Sequence, residues 1–434
     1  MRLRLTLLLY NLLLPFAMLV MLPANLIKMR RRGGCRGKFW ERCGCFSADV
    51  KAKLHSGRGR AWWIHAVSVG EVHVAQKLIA EIRRREPERP LVLSVTTSTG
   101  RAVAEESVPS GVTVIYSPLD FGWVVRAVLR CIQPVQYILM EAELWPNLVR
   151  RATRRGIPVT LANARLSPRS ERRYLRWRAL AAPVFSMLQR VLVQDESDVA
   201  RWAGIGVPRE RITVTGSIKY DSDGGVNETR VQEFRALLQG LWDDPLPPLL
   251  LAASTHPGEE QALAAVFLAL RKEFPGIVLL VAPRHAERRA EVSAALAAAG
   301  LRTALRTAWS EAPLHSEALI IDSTGELREW QSLASVVLIG KSWLAEGGQN
   351  PAEAIAAGVP VIAGPHMENF APLMKLLLAA DGITQVSSLD ALLPALRSAF
   401  SGLDAEKAKA ARGRAALERH RGATRRTLDA ISDP

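Results

Sequence analysis

The chain has 434 residues, a formal net charge of +15, 48% apolar residues and 23% charged residues. This length exceeds one ordinary globular core, so we expect two domains of roughly 150 to 200 residues each. The composition excludes a disordered chain and a fibrous or repeat architecture. The basic excess predicts an anionic partner, which composition alone leaves open between nucleic acid, anionic lipid and a phosphorylated small substrate.

The chain begins with an apolar segment, residues 5–27, that holds no charge and is long enough to cross a hydrocarbon core of about 30 Å. Polar and helix-breaking residues inside it weaken a spanning helix, so an anchor in the plane of the membrane is an open alternative. These residues are Asn11, Pro15, Pro23 and Asn25.

A cleaved signal peptide is a competing interpretation of the same segment. Five basic residues follow at once, and such a cluster resists translocation and binds anionic head groups. We therefore predict a membrane anchor with a basic flank at residues 1–32 and a cytoplasmic position for the rest. The basic residues are Lys28, Arg30, Arg31, Arg32 and Arg36.

From Trp62 onward, short apolar runs alternate with longer helical patterns, which predicts parallel sheets covered by helices on both faces. A polar, glycine-containing stretch at 220–227 predicts a linker. We expect two doubly wound, Rossmann-like α/β domains that face a cleft, at residues 33–221 and 222–434. The predicted strands are 62–67, 91–95, 112–116, 135–140, 158–161 and 191–193 in the first domain, and 249–253, 277–281, 318–321, 336–339 and 359–363 in the second.

In such sheets ligands bind beyond the carboxyl ends of the strands, so residues that follow strands are candidates. Glu71 follows the first strand and could remove a proton from a hydroxyl group; the alternative is a first-turn glutamate stabilised by the helix dipole. Glu141 and Glu143 follow the fourth strand, and at i and i+2 we expect at most one to point into the cleft. Lys219, beside the linker, could meet a carboxylate or phosphate, or be a surface lysine.

A basic and aromatic stretch runs from Arg165 to Arg178 and includes Tyr174 and Trp177. So close to an apolar anchor, it suits the phosphates of a lipid head group. A nucleic-acid surface and a merely solvated helix face are the alternatives, and no recognised nucleic-acid-binding motif accompanies the stretch.

Candidates for anion binding also follow the strands of the second domain. Arg284 could hold a phosphate, and backbone groups of 324–326 could read a nucleotide base. In the glycine-rich run 347–353, Asn350 is the predicted N-cap of a helix that would cradle a phosphate, and Glu353 could accept from ribose hydroxyls. A capping box without a ligand is the alternative. No acidic or histidine cluster has metal-ligand spacing, so we expect no catalytic metal.

Taken together, nine runs resemble the bacterial 3-deoxy-D-manno-octulosonic acid (Kdo) transferases of lipopolysaccharide synthesis. The runs keep their order between His65 and Phe370. Two departures are the run EAELWPN, where a threonine is common, and Gln349, where a histidine is common. The runs are HAVSVGE, EAELWPN, NARLS, TGSIKYD, AASTHPGEE, APRH, TGEL, GGQNPAEA and GPHMENF.

The resemblance implies a GT-B fold and an inverting transfer of Kdo from CMP-Kdo to a lipid A precursor, lipid IVA, at the cytoplasmic face of the bacterial inner membrane. It implies no cofactor and no nucleic-acid partner. Glu71 would be the catalytic base, and Glu141 and Lys219 would stabilise the transition state. The implied CMP-binding residues are Pro283, Arg284, Thr324, Gly325, Glu326, Asn350, Pro351, Ala352 and Glu353.

Two other functions fit parts of this pattern. A GT-B glycosyltransferase or sugar epimerase acting on a uridine nucleotide would use the same fold and phosphate cradle. A membrane-bound scaffold or RNA-binding protein would use the basic surface without turnover, with salt-sensitive binding.

Overall fold

A computed structural model describes residues 2–31, 38–221, 225–242, 245–311 and 316–433. The chain forms two compact units. Unit 1 comprises Met1–Asp221 together with Gly422–Pro434, and unit 2 comprises Ser222–Arg421. Each unit contains its own parallel sheet.

The predicted anchor forms the long helix α1, Arg2–Arg31. Within the described residues, its part Arg2–Val20 is the one helix long and apolar enough to cross a membrane, judged by length and composition. Leu7 on one face of α1 is buried against unit 1, whereas Leu12 and Phe16 on other faces are exposed. Of the basic flank, Arg32 and Arg36 lie outside the described residues.

Seven parallel strands form the sheet of unit 1 in the described part of the chain, in the order β3-β2-β1-β4-β5-β6-β7. Alternate residues enter two cores: Trp63 packs into one and Ile64 into the other, so both sheet faces are covered. The strands are β1 (Trp62–Ala66), β2 (Leu91–Val95), β3 (Val112–Tyr116), β4 (Gln136–Met140), β5 (Val159–Ala164), β6 (Arg190–Val193) and β7 (Ile212–Val214).

Helices connect these strands and cover the sheet. They end before each following strand, and several begin at side-chain caps, such as Ser68 and Ser167, that accept a backbone N–H of the first turn. After α1, the helices are α2 (Ala48–Ser56), α3 (Val69–Arg85), α4 (Ser98–Ser107), α5 (Gly122–Ile132), α6 (Pro146–Thr153), α7 (Pro168–Arg176), α8 (Arg178–Phe185) and α9 (Glu196–Gly204).

Unit 2 repeats this plan. Its described strands also number seven and are parallel, in the order β10-β11-β9-β8-β12-β13-β14. The strands are β8 (Leu249–Thr255), β9 (Val278–Pro283), β10 (Thr303–Leu305), β11 (Ala318–Ile320), β12 (Val336–Ile339), β13 (Val361–Ala363) and β14 (Thr384–Gln385). The helices are α10 (Glu228–Leu241), α11 (Glu259–Arg271), α12 (Arg289–Ala298), α13 (Leu327–Leu333), α14 (Ala352–Ala356), α15 (Ala371–Ala379), α16 (Leu392–Ser401) and α17 (Leu403–Glu418).

Each sheet has one point at which the strand order reverses. In unit 1 this switch point lies between β1 and β4, and in unit 2 it lies between β8 and β12. The connections on either side of such a point leave in opposite directions and open a crevice at the carboxyl ends of the strands. Residues that follow β1, β4, β8 and β12 therefore line the two crevices.

The last helix, α18 (Ala423–Ser432), returns to unit 1, whereas the predicted second domain extends to residue 434. The Asp221 carboxylate accepts the N–H groups of Gly422 at 2.9 Å and Thr424 at 2.7 Å, which caps the helix. Leu428 then packs into a core of unit 1. The second unit ends at Arg421 because α18 gains its cap and its apolar contacts from unit 1.

We expect Asp221→Ala to destabilise the protein, because it leaves the buried N–H of Thr424 without its acceptor. Loss of an N-cap costs about 1–2 kcal/mol, and the apparent Tm should fall by about 2–4 °C per kcal/mol. The measurement is thermal unfolding in detergent. Asp404→Ala is the control, since Asp404 is fully exposed and reaches Lys407 only at 3.9 Å. Equal Tm values for the two variants would contradict the capping role.

Candidate active site

Strained backbone marks the carboxyl ends of the central strands in both units. Four non-glycine residues there have left-handed φ angles: 58° at Glu141, 52° at Asn163, 58° at Ser254 and 55° at Lys341. Such a conformation costs on the order of 1–3 kcal/mol per residue and persists only where its surroundings impose it. In folded proteins this conformation clusters at functional sites, so these strand ends are candidates for the functional site.

Glu71 lies in the first turn of α3, directly beyond β1. Its Oε2 atom accepts the Val67 N–H at 2.9 Å, and its Oε1 atom accepts the Ser68 hydroxyl at 3.3 Å. In return, the Ser68 hydroxyl oxygen accepts the Glu71 N–H at 3.5 Å. This is a capping box, so the carboxylate is fixed in position by the start of the helix.

Burial raises the pKa of the Glu71 carboxyl group to about 8; the nearby Glu141 and Glu143 carboxylates also raise it, and the hydrogen bonds from Val67 and Ser68 oppose the rise. Glu141 and Glu143 raise the pKa of Glu71 by Coulomb repulsion between like charges in a partly desolvated site. The Glu71 carboxyl group therefore gains or loses its proton close to neutral pH, as a general acid or base requires.

Glu141 and Lys219 belong to the same cluster. Burial raises the pKa of Glu141, whereas Arg165 and Lys219 lower it. Burial lowers the pKa of Lys219, the Glu141 carboxylate opposes this change, and Arg165 adds to it. The structure thus brings the predicted catalytic residues Glu71, Glu141 and Lys219 into electrostatic contact within unit 1.

Glu141 and Glu143 both lie close enough to Glu71 for their carboxylates to raise its pKa. They precede α6, which begins only at Pro146, and Glu141 has a left-handed φ angle. The expectation that at most one of them points into the cleft stays a prediction.

Asn163 lies in the run NARLS, and the sequence did not predict a role for it. Asn163 is fully buried, and its Oδ1 atom accepts the Ile218 N–H at 3.0 Å. Ile218 precedes Lys219, so this hydrogen bond fixes the segment that carries the lysine. The signal in the sequence was a polar residue inside an otherwise apolar strand, which requires a buried hydrogen-bond partner.

In unit 2 a buried carboxylate joins the ends of β8 and β12. Glu259 is fully buried and accepts the N–H groups of His256 at 2.9 Å, Lys341 at 2.8 Å and Trp343 at 3.2 Å. A Cβ atom at Gly340 would clash with the Ser254 carbonyl group. The two strand ends are therefore in close contact at the switch point of unit 2.

The glycine-rich run leads from this point to α14. Gly347 and Gly348 have φ angles of 120° and 67°, and a Cβ atom at either would clash with the segment around Met367. The Asn350 Oδ1 atom accepts the Ala352 N–H at 3.0 Å. The prediction of Asn350 as the N-cap is wrong by one residue, because Pro351 takes that position and α14 begins at Ala352 and has five residues.

The remaining predicted residues of unit 2 follow strands next to β8. Pro283 ends β9, and Arg284 is exposed while its N–H donates to the Thr255 carbonyl oxygen at 3.0 Å. Thr324 and Gly325 are exposed beyond β11. The strand order β11-β9-β8-β12 places these segments along one edge of the sheet.

Two of the predicted carboxylates already have cationic partners. Glu326 is buried and pairs with Arg230 at 3.2 Å and Arg306 at 3.4 Å. Its side chain therefore stabilises unit 2, and the backbone of the neighbouring exposed residues is what a ligand can reach. Glu353 is partly exposed and reaches Arg328 only at 3.8 Å, so its oxygens remain accessible.

Sequence reasoning missed Lys341, which follows β12 at the switch point. Its Nζ atom lies 3.5 Å from the position that a Cβ atom would take on Gly347. A half-buried cation beside a glycine-rich loop is suited to an anionic ligand. The signal was a lysine directly after a buried strand, in the run IGKSW.

Similarity to known proteins extends over most of the chain. The family model described as 3-Deoxy-D-manno-octulosonic-acid transferase (kdotransferase) matches residues 37–222. The 3-deoxy-D-manno-octulosonic acid transferase of Haemophilus influenzae is 33% identical over 371 residues, which cover 85% of this chain and 86% of that protein. The protein of the same description from Bordetella pertussis is 34% identical over 426 residues, which cover 95% and 96%.

A solved structure, the UDP-GlcNAc 2-epimerase from Neisseria meningitidis bound to UDP-GlcNAc, shares the fold. It is 12% identical, has a TM-score of 0.50, and the match covers 86% of this chain and 99% of that one. This likeness concerns the fold alone, and with the two parallel sheets it confirms the predicted GT-B-like α/β class. Identity above 30% with relatives matched over most of their length settles the family. The chain belongs to the 3-deoxy-D-manno-octulosonic acid transferases, a group of glycosyltransferases.

Proposed function

We propose that the chain transfers Kdo from CMP-Kdo, with inversion, to the tetraacylated glucosamine disaccharide bisphosphate that is the lipid A precursor lipid IVA. The reaction takes place at the cytoplasmic face of the bacterial inner membrane, where α1 and its basic flank hold the enzyme. The observation that carries the proposal is the Glu71 carboxyl group, whose pKa of about 8 suits proton transfer, at the switch point of unit 1.

Glu71 is the proposed general base. As the acceptor oxygen bonds to the anomeric carbon of Kdo, its proton passes to Glu71, and the bond from that carbon to the CMP phosphate oxygen breaks. Positioned proton transfer of this kind typically accelerates a reaction 10²–10⁴-fold. The hydrogen bonds from Val67 and Ser68 support this role because they hold both carboxylate oxygens in place before the acceptor arrives.

Glu141 and Lys219 are the proposed electrostatic stabilisers of the transition state. The transition state is oxocarbenium-like at the anomeric carbon and gains negative charge on the departing phosphate. A carboxylate stabilises the first charge and an ammonium group the second, and both act strongly because they are partly desolvated. The mutual influence of Glu141 and Lys219 on their pKa values supports their action as one unit.

Unit 2 is the proposed site for the donor. Lys341 and Arg284 provide cations for the phosphate or the Kdo carboxylate, and the backbone of Thr324 and Gly325 faces the cytosine. The turn at Asn350 approaches the phosphate, and Glu353 accepts hydrogen bonds from the ribose hydroxyls. Support comes from the position of these segments along the edge β11-β9-β8-β12, where doubly wound sheets bind nucleotides.

The function is tested by incubating purified protein with CMP-Kdo and lipid IVA in detergent and measuring the product by mass spectrometry. The product should be heavier by one or more Kdo residues, and UDP-sugars should give no transfer. Glu71→Gln should lower the rate 10²–10⁴-fold, because an amide can complete the capping box but cannot take a proton. Its Tm should stay close to that of the wild type.

Glu88→Gln is the matched control, since Glu88 is exposed in the same unit and should leave the rate unchanged. Wild-type turnover in Glu71→Gln would remove Glu71 from the mechanism. A product that contains a sugar from a UDP donor would instead replace the proposed donor.

The rate should also follow the ionisation of Glu71. Because a base must be deprotonated, kcat/KM should rise roughly tenfold per pH unit up to about pH 8 and level off above it. Glu143→Gln should shift the rising limb to lower pH, since the Glu143 carboxylate contributes to the raised pKa of Glu71. Initial rates at low acceptor concentration measure both profiles. A wild-type profile that is flat below pH 8 would contradict the role of Glu71 as base.

Lys341→Met should raise KM for CMP-Kdo about tenfold or more, because a charged hydrogen bond contributes about 1.5–3 kcal/mol. Lys341→Arg keeps the positive charge and should recover part of the affinity. Lys375→Met, which removes an exposed lysine from α15 of the same unit, is the control. The affinities of these variants for CMP, measured by isothermal titration calorimetry, should follow the same order if Lys341 binds the phosphate group. An unchanged KM for Lys341→Met would exclude Lys341 from the donor site.

A further inference from the structure

An open groove of about 300 Å³ lies in unit 1 between the anchor helix α1, the helices α7 and α8, and the segment before α6. Most of its walls are apolar side chains. Nothing in the proposed chemistry uses this groove. Residues that form its walls include Thr6, Tyr10, Leu144, Trp177, Ala181 and Val184.

The anchor helix forms one wall because it is docked on unit 1 along one face. The side-chain amides of Asn11 and Asn147 exchange hydrogen bonds at 3.1 and 2.8 Å. Asn147 is buried, and its own N–H donates to the Asp120 carboxylate at 2.9 Å. These contacts lie at the centre of the apolar part of α1, Arg2–Val20, so unit 1 reaches the middle of the segment that lipid would otherwise surround.

The rest of α1 continues the apolar surface beyond the groove. Many of its exposed side chains are large and hydrophobic, and Trp177, which also lines the groove, is 57% exposed. A groove with an apolar interior that joins an exposed apolar helix face is suited to a hydrocarbon chain rather than to a polar ligand. The exposed large hydrophobic side chains in the part of α1 whose burial is described are Leu5, Leu8, Leu12, Leu13, Phe16, Leu19 and Val20.

The rim of the groove is cationic. Arg173 lines it, and the guanidinium groups of Arg173 and Arg176 lie 5.3 and 5.9 Å from the ring centres of Tyr174 and Trp177. The single acidic residue of α7, Glu171, is paired with Arg201 at 2.8 Å. An apolar interior with an arginine rim complements an anionic amphiphile, with its chains inside and its phosphates at the rim.

The groove shares a segment with the carboxylate cluster. Leu144 and Pro146 line the groove, while Glu141 and Glu143 of the same turn act on Glu71. The groove and the proposed base are therefore linked through one short segment, residues 141–146.

We propose that this groove binds one fatty acyl chain of the acceptor lipid, so that α1 forms part of the acceptor site. The identity of the acceptor rests on the proposed function. The groove then selects acylated acceptors and sets the distance between the acyl chain and the sugar hydroxyl that reacts. The experiment distinguishes this occupant from two alternatives. One is an acyl chain of a bilayer phospholipid, and the other is a groove that serves packing alone.

The test compares kcat/KM for lipid IVA in detergent micelles with kcat/KM for its fully deacylated disaccharide bisphosphate. Ala181→Phe fills the groove, and the matched control Ala179→Phe adds the same ring to an exposed position of α8. Ala181→Phe should lower kcat/KM for lipid IVA at least tenfold and leave that for the deacylated acceptor unchanged, whereas Ala179→Phe should change neither. Trp177→Ala, at the exposed rim, provides a second variant with no risk to the core.

A measurement independent of turnover uses lipid IVA with a diazirine on an acyl chain. Crosslinked peptides should come from residues 144–146 and 173–185 in the wild type, and the crosslinks should be lost in Ala181→Phe. An equal loss of activity with both acceptors would overturn the proposal in favour of packing. Displacement of the crosslink by phosphatidylglycerol at equal concentration would overturn it in favour of a bilayer lipid. No transfer by the wild type to either acceptor would refute the proposed function itself.

Discussion

Burial of the Glu71 carboxyl group at the start of α3 is the constraint on which the proposed chemistry depends. A carboxylate in water is too weak a base to act near neutral pH, and burial together with the Glu141 and Glu143 carboxylates raises the pKa to about 8. The hydrogen bonds from Val67 and Ser68 oppose that rise and also fix the geometry. The predicted first-turn position of Glu71 is confirmed, whereas its role as the base stays a proposal.

The carboxylates of Glu71 and Glu259 lie at the switch points of the two units and differ in their hydrogen-bond donors. Glu259 accepts three backbone N–H groups and joins β8 to β12, whereas Glu71 accepts one backbone N–H and one hydroxyl group. Glu259 has a backbone donor from each of three residues and links two strand ends, so its role is structural. Glu71 has fewer donors and two anionic neighbours, which leaves it able to exchange a proton. A carboxylate that follows the first strand of each sheet thus anchors strand ends in unit 2 and, in the proposed mechanism, transfers a proton in unit 1.

The central part of the fold was readable from the sequence because buried parallel strands form continuous β-branched runs. Strands β7, β10 and β14 were missed, since they are edge strands of two or three residues without such runs. The return of α18 to unit 1 depends on a hydrogen bond between Asp221 and a residue 201 positions later, which no local pattern reveals. In the site, Glu71 and Glu141 were candidates because each follows a predicted strand, and Lys219 was a candidate because it lies beside the linker. Their catalytic roles were implied only by the resemblance. Lys341 also follows a strand but was missed, because nothing in the sequence alone identifies the switch point of a sheet.

The role of a polar residue in the anchor helix depends on its hydrogen-bond partner in unit 1. Asn11 is unfavourable in a helix surrounded by hydrocarbon, and the sequence therefore left the anchor undecided. In the structure its amide is satisfied by Asn147, so the polar side chain specifies where α1 docks and which face it leaves to lipid. Because Asn147 is in turn held by Asp120 next to the start of α6, the position of the anchor is coupled to the turn that carries Glu141 and Glu143. In the proposed function, an anchor attached in this way positions unit 1 relative to the lipid acceptor as well as retaining it at the membrane.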